Sequence, residues 1–258
     1  MSGPKKPRAL VLQGDGILAE HETAQAFATA GFQTTISNLR ALKMAPLGVG
    51  SLLEHTDVIV IPDGYLEQAV IGAGLLVALA IKHELRWDLP DFINKGGLVL
   101  GIGSGFKAML ELELFGKDIS LIANSSGKRV QQWARVIPSG STCVWLKGLG
   151  AIDLPVKTIE GRIAYSPEKK VETQVRIARR GMDCLKYEVN QLGSEEGLAG
   201  LCDPTGRAFG MIPHPELFLR WTSHPEWGAS PQRASAPGQG LAIFENAFRE
   251  VVRRFEST

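Results

Sequence analysis

Short, uninterrupted apolar blocks separated by longer mixed segments set the pattern of the first half of the chain. Residues 8–12 (RALVL) and 57–62 (DVIVIP) are runs of aliphatic and β-branched residues, the signature of strands covered on both faces in a parallel sheet. Residues 34–37 (TTIS) read as a further strand. Residues 20–30 predict a helix that ends at Gly31, because glycine accepts the backbone conformation that closes a helix. Residues 73–95 predict helix, interrupted near Pro90, leading into a strand at 98–100. Alternation of strand and helix at this spacing predicts a doubly wound α/β fold, whose sites form beyond the carboxyl ends of the strands. Residues 62–64 and 103–105 both fall at such ends and are expected to face one crevice.

The texture changes after Asn124. Residues 133–137, 142–146, 162–165, 185–189 and 208–211 read as short strands between turns, the last running directly into Ile212-Pro213-His214-Pro215-Glu216. Residues 221–240 are rich in Pro, Gly and Ser and predict a long surface loop, followed by an amphipathic terminal helix over 241–255. No internal repeat or low-complexity tract is present. The expectation is one domain over 1–258, with a flexible N-terminus at 1–7.

Composition narrows the function classes. A chain of 258 residues, 44% hydrophobic and 21% charged, can build a substantial core. Its net charge of +1 lacks the basic excess of a nucleic-acid-binding face. The N-terminal apolar run breaks at Gln13 and Gly14, too early for a signal-peptide core, and no segment is long enough to cross a bilayer. A cytoplasmic protein, binding neither nucleic acid nor membrane, is expected. Cys143, Cys184 and Cys202 are an odd, widely spaced set that suggests neither a disulfide framework nor a zinc site. Cys143 and Cys202 read as inert packing, and Cys184 has no nameable partner.

The stretch 98–106, LVLGIGSGF, has the form of a nucleophile elbow. A buried strand meets a glycine-spaced turn (Gly101, Gly103, Gly105), and a helix-competent segment follows over 106–112. Such a corner holds one reactive side chain above the sheet in G-x-Nuc-x-G, with glycines giving room for the sharp bend. Here the middle position is Gly103, which has no side chain to react.

At these residues the chain resembles a class I glutamine amidotransferase, and more narrowly the glutaminase component of phosphoribosylformylglycinamidine synthase, an enzyme of purine biosynthesis. The similarity covers about residues 8 to 253. HETAQAFATAGF at 21–32 resembles the family's first helix, and VLGIGSGFKAML at 99–110 its VLGICNGFQ-type elbow. NSSGKRVQQWARV at 124–136 is similar to the N-x-S-G-R-F-x-x-R-W-V segment, and LPVKTIEGRI at 154–163 to L-P-V-x-H-G-E-G-R-F. GMIPHPE at 210–216 resembles the G-M-M-P-H-P-E that completes the triad, and SHPEWG at 223–228 a loop of the longer, fused synthase. The resemblance implies a flavodoxin-like, mostly parallel sheet flanked by helices, with extra antiparallel strands in the second half. It implies no cofactor.

The departures from the pattern gather at the chemistry. The family's nucleophilic Cys falls on Gly103 and the following Asn on Ser104. The oxyanion and docking segment P-G-G-F-S-Y-G-D falls on residues 62–69, with Asp63 in place of its first Gly and Gly64 retained. The His of H-G-E-G-R falls on Thr158, whereas Glu160, Gly161 and Arg162 are kept. His214 and Glu216 match the general base and its orienting carboxylate. In the family a Cys thiolate attacks the glutamine amide, the His moves the proton, and backbone N–H groups hold the oxyanion. Gly103 offers no atom for that bond, and a carboxylate at 63 opposes negative charge beside the oxyanion. The chain is therefore expected to be inactive as a glutaminase, with His214 and Glu216 a relic pair. Ser104 reads as a helix cap or turn residue rather than a substitute nucleophile, and with Gly64 and Asp63 it falls in the oxyanion pocket that the resemblance implies.

Other constellations have plainer readings. His214 with His224 and the neighbouring glutamates is a zinc set on paper only, so no metal is expected. Asp15, Glu20 and Glu22 read as a solvated turn and helix start. Lys128, Arg129 and Arg162 are partner contacts or surface charge, and Trp133, Trp145, Trp221 and Trp227 core or loop anchors. Three functions stay open. The first is a non-catalytic subunit docked on the synthetase large subunit. The second is a working synthase component using free ammonia or altered chemistry. The third is a sensor binding a small amino acid in the vestigial glutamine pocket.

Overall fold

A computed structural model describes residues 5–14, 17–44, 52–64, 73–139 and 142–257. The chain alternates β1 (Arg8–Gln13), α1 (Glu20–Thr29), β2 (Gln33–Asn38), α2 (Leu39–Met44), β3 (Val58–Ile61), α3 (Ala73–Leu79), α4 (Leu89–Asn94), β4 (Leu98–Ile102) and α5 (Ser104–Glu111). Then come β5 (Ile119–Ile122), β6 (Val130–Pro138), β7 (Ile152–Thr158), β8 (Arg162–Tyr165), α6 (Lys170–Arg179), β9 (Leu185–Tyr187), β10 (Leu198–Cys202), β11 (Ala208–Met211) and α7 (Leu241–Glu256). Nine strands form one sheet in the order β2-β1-β3-β4-β11-β10-β9-β6-β7. Neighbours from β2 to β11 pair parallel. Those from β11 to β7 pair antiparallel. β5 and β8 form a separate antiparallel pair. This is the mostly parallel α/β sheet with antiparallel additions that the resemblance implies.

The apolar blocks explain the centre of the sheet. Every residue of β3 and β4 is buried, as expected for strands sandwiched between helical layers. Phe27, Phe244 and Trp145 meet edge-to-face on one side, with ring centroids 5.0 Å (Phe27–Phe244) and 6.4 Å (Phe27–Trp145) apart. Phe106 meets Phe115 at 5.6 Å. Burial of these rings supplies much of the hydrophobic stabilisation.

Several expectations are corrected. Residues 142–146 do not form a strand; Val144–Leu146 is a 3₁₀ turn. The fully buried Trp145 donates its indole N–H to Arg207 O at 2.9 Å. Asn246 of α7 donates to the carbonyls of Trp145 and Lys147 at 3.0 and 2.9 Å, so these backbone groups are satisfied without a ladder. The interruption expected near Pro90 in the helical stretch 73–95 is present, at residues 85–88. α3 passes into a π-helical turn at Ala80–Glu84, and α4 begins behind Asp88, whose carboxylate accepts from Asp91 N at 2.9 Å. Pro90 lies in the first turn of α4, where its missing N–H costs nothing. Residues 5–7 are held: Pro7 O accepts from Gln33 N at 2.8 Å, and Lys5 lies over the Phe255 ring.

The loop 221–240 is strapped down by its own rings. Trp221 and His224 stack at 8°, and the Arg233 guanidinium lies 3.5 Å from the Trp221 ring centroid. Trp133 and Trp145 are packed as expected, whereas Trp227 is 46% exposed.

Two glycines separate close packing from backbone conformation. A Cβ on Gly105, in the first turn of α5, would stand 2.7 Å from the Ile61 carbonyl carbon and 3.0 Å from Pro62 O. A Cβ on Gly127 would meet nothing, but its φ is +64°. Gly105→Ala is expected to lower unfolding free energy by about 3 kcal/mol through overpacking, and Gly127→Ala by only about 1 kcal/mol through backbone strain. Urea denaturation of both variants checks this; equal losses would refute the distinction.

Candidate functional site

The site forms where β3, β4 and β11 reach their carboxyl ends side by side. β4 runs into Gly103, which has φ +55° and ψ −114° and donates its N–H to Met211 O of β11 at 2.8 Å. This is the backbone of an elbow apex, adopted here by glycine without strain. β11 continues through Ile212 and Pro213 to His214, whose N–H donates to Pro155 O of β7 at 2.8 Å. Pro155 is tolerated because β7 is an edge strand. β3 ends in Pro62, Asp63 and Gly64. The Asp63 carbonyl accepts from Leu18 and Ala19 at 3.1 and 3.2 Å, which fixes this loop to the start of α1.

Asp63 fills the space above the apex. A Cβ built on Gly103 would lie 2.6 Å from Asp63 Cγ and 3.2 Å from its Cβ. Asp63 Oδ1 accepts from Ser104 N at 2.8 Å. Ser104 Oγ accepts in turn from Gly64 N at 2.6 Å. The helix-cap expectation for Ser104 is thus corrected. Ser104 is the first residue of α5, makes no capping bond, and clips the β3 loop to the elbow instead. The backbone N–H groups of Gly64 and Ser104 are both taken by side-chain acceptors within the chain.

His214 and Glu216 are brought together. His214 is fully buried, and its Nδ1 lies 2.8 Å from Glu216 Oε1. Its Nε2 faces Asp63 Oδ2 at 3.7 Å. The imidazole therefore stands between two carboxylates. Burial disfavours its charged form, but Glu216, by charge and hydrogen bond, and Asp63, by charge, outweigh that and raise the His214 pKa above its ordinary value.

Neighbouring motif segments are organised around Asn124, which sequence reasoning passed over. Its amide donates to the carbonyls of Lys128 and Thr158 at 2.9 and 3.0 Å and accepts from Gly161 N at 3.0 Å. One buried side chain thus joins the 124–130 and 158–162 turns. Glu160, kept from the family motif, pairs with Lys107 of α5. Lys107 was also missed, since a lone lysine on a helix carries no spacing signal. Lys128 and Arg129 sit on the turn that Asn124 organises, whereas Arg162 lies in β8 with its Nε buried.

The remaining candidates do not join the site. His224 packs between Trp133 and Trp221 and accepts from Glu226 N at 3.2 Å. Asp15 and residues 65–69 lie outside the described residues. Glu20 is not a solvated helix start: it is buried and accepts from Gln13 Nε2 at 2.9 Å. Glu22 is exposed in the first turn of α1. The cysteines are buried, as packing residues would be, but Cys184, for which no partner was expected, lies beside the other two. Their sulfurs lie within 4.8 Å of one another. Among the described residues this is the one grouping of potential metal ligands.

Comparison with known proteins agrees with this architecture. Residues 6–249 match the model of the CobB/CobQ-like glutamine amidotransferase domain. The PurQ subunit of phosphoribosylformylglycinamidine synthase from Methanococcus maripaludis is 33% identical over 266 residues, covering 93% of this chain and 96% of its own length. The Dehalococcoides mccartyi PurQ subunit is 32% identical over 254 residues, covering 95% and 97%. Among solved structures, PurLQS from Thermotoga maritima aligns with a TM-score of 0.73 at 22% identity over 96% of this chain and all of its own. A glutamine amidotransferase from the same organism aligns with a TM-score of 0.56 at 13% identity, over 98% of this chain and all of its own. From its sheet order, its elbow and these full-length matches, the chain belongs to the glutamine amidotransferase family of phosphoribosylformylglycinamidine synthase glutaminase subunits.

Proposed function

We propose that this chain is a non-catalytic subunit of a phosphoribosylformylglycinamidine synthase in purine biosynthesis, docking on the synthetase large subunit without hydrolysing glutamine. One observation carries the reading: the Asp63 carboxylate fills the space of the nucleophile and accepts the Ser104 N–H. Amide hydrolysis by this family's route needs a sulfur at the apex and free N–H donors for the oxyanion. Here the apex has no side chain, one donor is bonded to Asp63 and the other to Ser104 Oγ. Loss of the nucleophile alone costs on the order of 10⁶ in kcat. Asp63 is a poor substitute nucleophile, because its Oδ1 is held in the donor site and attack would require leaving it.

The blocked apex also opposes a sensor that holds glutamine in the family's position. A ligand there would have to displace Asp63 from Ser104 N and break its ion pairing with His214. Among the described residues the nine-stranded sheet and the loop 221–240 are nevertheless ordered parts of the fold, which suits a subunit retained for its surface. A synthase assembled on such a subunit would draw on free ammonia.

Three measurements test this. The purified chain is expected to associate with a phosphoribosylformylglycinamidine synthetase large subunit at micromolar concentration, read by size-exclusion chromatography; failure to associate removes the subunit reading. Glutaminase assays of the chain, alone and in that complex, are expected to stay at background. Gly103→Cys is expected to remain inactive and to melt at lower temperature, since its side chain meets both the positive φ and the Asp63 carboxylate. Glutamine turnover by the unaltered chain would overturn the assignment.

The pH dependence follows from His214. Its folded pKa is raised, so its contribution to stability is fully present below the unfolded imidazole value of about 6.5 and is lost as pH rises through the folded value. Asp63→Asn removes one of the two flanking charges. The His214 titration is expected to move down in pH in that variant, followed by NMR of the imidazole. An unchanged midpoint would mean that Asp63 does not act on His214.

A further inference from the structure

The three cysteines meet at the end of the sheet opposite the elbow. Cys202 closes β10 and is in register with Phe209, near the start of β11, whereas Met211 at its other end adjoins the elbow through Ile102. Cys184 directly precedes β9, which pairs with β10. Cys143 precedes the 3₁₀ turn that replaces the expected strand. Backbone hydrogen bonds lock all three positions. Cys202 N donates to Met182 O at 3.0 Å, Cys184 O accepts from Ser139 N at 2.9 Å, and Val144 N donates to Gly206 O at 3.0 Å. The sulfurs converge within 4.8 Å, and each cysteine is at most 2% exposed.

We propose that Cys143, Cys184 and Cys202 form a three-sulfur binding site for a soft monovalent ion, Cu(I). Three sulfurs about 2.3 Å from a central ion lie about 4.0 Å apart, so closure needs movements of less than about 1 Å. Softness restricts the candidates to copper(I), zinc and iron–sulfur clusters. Structural zinc and iron–sulfur clusters both take four protein ligands. No His, Asp or Glu joins the group among the described residues. The neighbouring Asp203 is committed to Thr205, Arg207 and Ala208, and Asp183 pairs with Lys186. A closed-shell ion satisfied by three sulfurs fits such a dry, fourth-ligand-free pocket. Cysteine protons would be released on binding. The site is independent of the blocked apex, so it stands or falls apart from the proposed function.

The test is anaerobic titration of the full chain with Cu(I) against a chromophoric Cu(I) chelator, with Zn(II) titrated in parallel. The expected result is one Cu(I) per chain, a raised melting temperature on loading, and affinity lowered more than about 100-fold in Cys143→Ser, Cys184→Ser and Cys202→Ser alike. X-ray absorption of the loaded wild-type chain, which does not depend on the variants folding, is expected to find three sulfur neighbours. Absence of binding, binding unchanged in the serine variants, nitrogen or oxygen ligands, or stoichiometric zinc retained more tightly than copper would each overturn the proposal.

Discussion

Asp63 is the group on which the geometry of the crevice depends. The residue is 8% exposed and contacts three segments that are remote in sequence. One oxygen takes the first N–H of α5, the other faces His214, and the backbone carbonyl takes two N–H groups ahead of α1. A buried carboxylate must be hydrogen-bonded or paired to be tolerated, and here the N–H and the imidazole do both. The same satisfaction that makes the charge affordable removes the space and the donors that amide chemistry would use. Stability and chemistry therefore compete for the same few atoms.

Gly103 and Asp63 are sterically complementary. With a side chain at 103, the Asp63 carboxylate would collide with it; with glycine at 103, the carboxylate enters the vacated volume. His214 and Glu216 keep their hydrogen bond because it satisfies buried polar atoms whether or not a thiol is present. The proposed role as a docking subunit rests on the fold that surrounds the crevice, which the elbow's altered chemistry leaves undisturbed.

The central strands were legible because their signal is local. β3 and β4 are continuous apolar runs, and the Gly-spaced corner after β4 names its own geometry. The edge strand β7 was missed because Pro155 interrupts its pattern, and β10 because Gly200 and a bulge between Leu198 and Gly200 obscure its pairing. α6 buries only Thr173 and Ile177 and leaves Val171 and Val175 exposed among its charged residues, so its periodicity is faint. Residues 142–146 look like a strand by composition, but partners on α7 and at Arg207 satisfy them instead.

The sequence by itself determined the α/β order, the family, the absent side chain at Gly103 and the survival of His214 and Glu216, because each is a property of a residue or a short window. Only the tertiary structure decided that Asp63 fills the apex, that Ser104 clips a loop rather than capping a helix, and that three cysteines dozens of residues apart share one pocket. Those outcomes depend on strand order and register, which bring remote atoms within 3 to 5 Å. The identity of a single residue carries no record of such distances.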